Sequence, residues 1–84
     1  MEYTIEFSSE FEKSIKKLKN KDKKLFNQIQ KKLIDIVKNP EHFKTLGNVL
    51  AGYRRLHFGP FVLVYKIDGN IVRIISLDHH DNAY

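Results

Sequence analysis

Cysteine and tryptophan are absent from the 84 residues, methionine occurs once and proline twice. Without thiols, neither a disulfide framework nor a thiolate metal site can supplement the core. No apolar stretch approaches the roughly 20 residues of a membrane helix, so no membrane partner is expected. The opening Met1-Glu2-Tyr3-Thr4 lacks the cationic region and apolar block of a secretory leader. A soluble, cytoplasmic protein is the expectation. No internal repeat or low-complexity segment appears, and the length suits one domain, residues 1–84, rather than two.

What is present is positive charge and a moderate apolar content. The formal charge is +5 and 42% of residues are hydrophobic. The excess is concentrated: Lys13, Lys16, Lys17, Lys19, Lys21, Lys23 and Lys24 share one stretch with a single acid, Asp22. Such a field attracts polyanions, among them nucleic acid, acidic lipid headgroups and acidic protein segments. A solvated helix face explains the same residues without any partner.

Tyr3-Thr4-Ile5-Glu6-Phe7 alternates apolar and polar, the pattern of a half-buried strand. Ser9 and Glu12 have the spacing of a capping box, which predicts a helix from about Glu10 to Lys19. Phe11, Ile15 and Leu18 then form its apolar stripe, with Lys13, Lys16 and Lys17 opposite. Asp22 is placed to open a second helix, whose apolar arc holds Leu25, Phe26, Ile29, Leu33, Ile36 and Val37. Pro40 ends it at Asn39. Glu41 to Leu50 is irregular, with a turn at Gly47-Asn48. Three strands follow: Tyr53 to Phe58, Phe61 to Ile67 and Ile71 to Leu77, the last two joined at Asp68-Gly69. The order β-α-α-β-β-β predicts an α+β fold, a helical hairpin on one face of a small, mainly antiparallel sheet. The other face is expected to be open.

Chemistry-bearing residues converge in the last third. Alternation sets Tyr53, Arg55 and His57 on one strand face and Arg54 on the other. A guanidinium beside an imidazole suits a phosphate, one holding oxygens and the other moving a proton near neutral pH. A surface histidine with no task is the plain alternative. His79 and His80, flanked by Asp78 and Asp81, invite a metal, but adjacent residues on an extended chain point apart, so none is expected. Acid–base work by one of the pair, or a simple polar tail, remains. Tyr84 offers a ring that stacks on an unpaired base, unless it is only an idle terminus. Lys44 is a further phosphate contact for the same site.

The run Gly52-Tyr53-Arg54-Arg55-Leu56-His57-Phe58-Gly59-Pro60, then Leu63-Val64-Tyr65-Lys66-Ile67, then His80-Asp81-Asn82-Ala83-Tyr84, resembles the RelE/ParE toxin superfamily. Within it the RelE and YafQ branch of toxin-antitoxin systems is most similar. The resemblance implies an endoribonuclease that enters the ribosomal A site and cleaves mRNA there. The reaction is attack of a ribose 2′-OH on the adjacent phosphate, without metal or cofactor. It implies catalytic roles for His57, His80, Tyr84 and Arg55. Lys44, Arg54, Arg73, Lys13, Lys16 and Lys17 are the expected contacts to RNA and ribosome. It also implies a cognate, RelB-like antitoxin, with operator DNA reached only through that partner. Val62 departs from the arginine usual in the middle strand, no acid follows Pro60, and Ser76 occupies another position often basic. These departures keep a non-nucleolytic ParE-like gyrase inhibitor, or an inactive antitoxin-binding relative, in view. A plain RNA-binding domain explains the charge but not the histidines.

Overall fold

The computed structural model describes residues 3–42 and 52–79. Strand β1 (Thr4–Phe7) leads into helix α1 (Ser9–Lys21) and helix α2 (Lys23–Lys38). A short 3-10 turn, Pro40–His42, follows. Strands β2 (Tyr53–Phe58), β3 (Phe61–Asp68) and β4 (Ile71–His79) complete the order. The four strands lie in the order β1-β4-β3-β2, with β1 parallel to β4 and the other pairs antiparallel. The α+β architecture thus forms as its apolar pattern requires.

Helix α1 begins one residue earlier than the capping-box spacing suggests. Ser8, not Ser9, is the N-cap, and its hydroxyl accepts from the Phe11 amide at 3.0 Å. The reason is long-range. The Ser8 hydroxyl also donates to the Ile75 carbonyl, and its amide donates to the Ile74 carbonyl at 2.9 Å. One serine therefore ends β1, caps α1 and serves β4, which Ser9 cannot do. Asp22 caps α2 as expected, accepting from the Leu25 amide at 3.1 Å. Asn39 closes that helix before Pro40.

The helices cover one face of the sheet. Phe11, Leu18, Ile29 and Ile36 bury there against Leu56, Leu63, Tyr65, Val72, Ile74 and Leu77. The hairpin between β3 and β4 carries an irregularity: Val64 opposes Ser76 while Tyr65 opposes Ile74, leaving Ile75 as the extra residue of a bulge. Ile74 and Leu77, three apart, both reach the helix side for that reason. Strand β4 also runs to His79, two residues beyond Leu77, because Asp78 and His79 pair with Val62 and Phe61. Asp78 and His79 thus belong to the sheet rather than to a tail after it.

Candidate functional site on the helix-free face

Strand β2 is an edge strand, and its pleat sets Tyr53, Arg55 and His57 on the face away from the helices. Across β3 they meet Lys66, Val64 and Val62. Across β4, Val64 meets Ser76 and Val62 meets Asp78. The imidazole of His57 is exposed, and Arg55 beside it is partly exposed. Their Cα atoms stand about 7 Å apart, two residues along one strand. At the far end of β2 the Lys66 ammonium lies 5.4 Å from the centre of the Tyr53 ring.

This face is not bare, as an uncovered sheet would be. Val62 and Val64 are each 2% exposed and pack with Tyr53 and Ile75 into a second, smaller apolar cluster. Among the described residues no helical side chain joins that cluster. The result is a dry centre with His57 and Arg55 along one margin and Ser76 and Asp78 along the other. Charge placed there acts across low-polarity surroundings, where it is less screened than in open water.

The remaining cations have other places. Arg54 lies on the helix side of β2, where its Nη1 donates to the Glu41 carbonyl at 3.2 Å. Beside it, buried Tyr65 donates its hydroxyl to the Pro40 carbonyl. Burial pushes that hydroxyl up to about 12, and the Arg54 guanidinium opposes the rise. The two side chains hold the Pro40–His42 turn against the sheet. Arg73, in β4, pairs with Glu6 at 2.6 Å and approaches Asp68 at 3.5 Å. Two strand spacings and four residues separate it from His57, about 16 Å along the sheet. Lys13, Lys16 and Lys17 are exposed on α1, in the helical layer. Lys44, His80 and Tyr84, with the Gly47-Asn48 turn, lie outside the described residues.

The structure therefore brings Arg55 and His57 together and sets Arg54 and Arg73 elsewhere. Ser76 and Asp78 are neighbours of the site that sequence alone did not place. Their signal was hidden by the bulge: counting outward from the Asp68-Gly69 turn puts Leu77, not Asp78, opposite Val62. Among the described residues no three His, Asp or Glu side chains converge as metal ligands. No described helix is long and apolar enough to cross a membrane.

Fold and face define a small basic α+β protein whose polar groups gather on the helix-free side of its sheet. A family model described as "ParE toxin of type II toxin-antitoxin system, parDE" matches residues 5–84. A relative in Methanocaldococcus jannaschii, named "Putative toxin RelE4", is 40% identical over 98% of this chain and 90% of its own. The Mycobacterium tuberculosis toxin-antitoxin complex RelBE2 contains a chain that superposes with TM-score 0.79 at 25% identity, covering 94% of this chain and 99% of that one. The Escherichia coli DinJ-YafQ toxin-antitoxin complex gives TM-score 0.80 at 23% identity over 100% and 99%, a likeness of fold alone. The chain belongs to the RelE/ParE family of type II toxin-antitoxin toxins.

Proposed function

We propose that this toxin is a ribosome-dependent endoribonuclease, active in the cytoplasm, that cuts mRNA in the A site. The observation that carries the reading is the placement of Arg55 and exposed His57 side by side on the helix-free face. In the proposed reaction a ribose O2′ forms a bond to the adjacent phosphorus and the P–O5′ bond breaks. One imidazole takes the 2′-OH proton and another protonates the departing O5′. His57 is one of the pair and His80 the other, while Tyr84 stacks on a base. Arg55 meets the charge that develops on the phosphorane oxygens. Lys44 and the α1 lysines Lys13, Lys16 and Lys17 supply contacts to RNA and ribosome.

A cognate antitoxin of RelB type belongs to the same proposal. Phe7, 43% exposed, stacks on Phe11 at the mouth of a groove lined also by Ile15, Phe26 and Leu33, with Lys16 and Lys19 at its rim. An acidic amphipathic segment fits such a surface in both polarity and charge.

A second reading, a gyrase inhibitor without nuclease activity, is favoured by one feature: Val62, where RelE-type chains usually carry arginine, is buried in the apolar cluster. Brief expression followed by mapping of mRNA 5′ ends separates the two. Codon-phased cuts that vanish when translation is blocked are expected. DNA breaks or gyrase arrest without such cuts would replace the nuclease with the inhibitor.

A further inference from the structure

A cavity of about 200 Å³ opens on the helix side of the sheet, where α1 passes the ends of β3 and β4. Ser14, Lys17 and Lys21 line it from the helix, and Phe61, Asp78 and His79 from the strands. Lys17 and Lys21 are four residues apart and so share one helix face. Phe61 and His79 oppose each other in register, their ring centres 5.7 Å apart and their planes at 69°. The cavity thus combines an aromatic wall, two ammonium groups and a hydroxyl over an apolar floor of Leu18 and Leu77, while the Asp78 side chain belongs to the opposite face of β4. Its volume lies below the roughly 300 Å³ at which ligand pockets usually begin, so it has room for a planar base alone, with the attached phosphate left at the mouth beside the lysines.

We infer that this cavity is a second nucleotide subsite, taking the RNA nucleotide next to the one cleaved. The base stacks on Phe61 and meets His79 edge-on, as the 69° between the two rings requires, and its phosphate lies between Lys17 and Lys21. This rests on the nuclease reading above. Strand β4 connects the two places. Asp78 stands in the row of His57 and Val62, and His79, the next residue, faces the opposite side beside Phe61. An RNA strand that rounds the end of β4 meets the helix-free face and the cavity one after the other. Stacking tolerates every base in some degree, whereas a histidine edge distinguishes hydrogen-bonding patterns. The subsite therefore biases which message sequences are cut.

The test is amide NMR on the full chain, titrated with a trinucleotide whose central ribose is 2′-O-methylated so that it cannot be cut. Shifts at Lys17, Lys21, Phe61 and His79, accompanied by shifts at Arg55 and His57, are expected. Lys17→Gln with Lys21→Gln, or His79→Ala, should weaken binding about 5- to 100-fold. Lys24→Gln with Lys31→Gln, an equal loss of charge at two exposed positions on α2, should change it less than about twofold. Shifts at Arg55 and His57 with a silent cavity overturn the subsite and leave the nuclease reading standing. Shifts confined to the cavity keep a nucleotide site and remove the nuclease face. Equal shifts with inorganic phosphate alone reduce the cavity to an ion site and overturn the inference.

Discussion

Beneath the helices, Leu56, Leu63, Tyr65, Val72, Ile74 and Leu77 join Phe11, Leu18, Ile29 and Ile36 in one continuous core. On the opposite face the buried apolar cluster is Val62 and Val64, roofed by Tyr53 and Ile75. The two faces share the same strands and differ in what each must satisfy. The first buries large side chains from three strands and both helices, so it holds most of the apolar area and most of the stability. The second buries two small side chains and keeps His57 accessible. A chain of 84 residues has little stability to spare. Separating the faces lets the polar residues of one serve a function without weakening the core of the other.

That separation is breakable by substitution. On the helix-free face, His57→Ala should lower mRNA cleavage about 10²- to 10⁴-fold, the range lost with an acid–base group. Thermal unfolding should move by no more than the equivalent of about 0.5 kcal/mol, because the side chain is exposed. Full toxicity in this variant would remove His57 from the mechanism. On the helix-covered face the effects should reverse. Ile36 is fully buried, and Ile36→Ala should cost about 2–5 kcal/mol in urea unfolding. Activity per folded molecule should stay near that of the parent. A cleavage defect in Ile36→Ala that persists well below its unfolding transition would show that the faces are coupled.

Tyr65 sharpens the comparison, since it is a titratable group fully buried within the helix-covered core. Tyr65→Phe leaves the Pro40 carbonyl without its hydroxyl partner and should cost about 1–3 kcal/mol at neutral pH. Its folded value, about 12, lies above the ordinary value of 10.0, so the fold favours the protonated phenol. The contribution is fully present below the unfolded value and is lost as pH rises through the folded one. Between about pH 10 and pH 12 the parent should therefore lose stability more steeply than Tyr65→Phe. Parallel slopes for the two proteins would mean that the phenol is not protected by burial.

Much of this was legible in the sequence, and the exceptions have identifiable causes. Alternation put Arg55 and His57 on one face and Arg54 on the other, because β2 is regular along its whole length. The helical stripes were equally plain, since Phe11, Leu18, Ile29 and Ile36 follow the helical period. Three features escaped. The N-cap moved from Ser9 to Ser8 because the serine that also reaches Ile74 and Ile75 wins, and that contact is 67 residues distant. The bulge at Ile75 shifted Asp78 and Ser76 into the site, and Ile74-Ile75-Ser76-Leu77 carries no local mark of it. The burial of Val62 and Val64 on the supposedly open face depends on Tyr53 and Ile75 from neighbouring strands, which spacing along one strand does not reveal.

The smallest expected effect concerns Arg73, whose charge sits on the helix-free side but far from His57. Glu6 and Arg73 are register partners in the parallel pair of β1 and β4, and their side chains meet at 2.6 Å while about half exposed. Such a pair contributes about 0.2–1 kcal/mol, screened by salt. A double-mutant cycle with Glu6→Gln and Arg73→Gln should return a coupling in that range that shrinks when salt is raised. The guanidinium is then a clamp between the first and last strands, with Asp68 at 3.5 Å as a weaker second partner. Cleavage by Arg73→Gln should fall less than about threefold, against a far larger loss for Arg55→Ala, whose charge stands next to the imidazole. Equal losses in the two variants would extend the RNA-binding surface across all of the helix-free face, and the division between a reactive margin near His57 and a structural margin near Arg73 would fail.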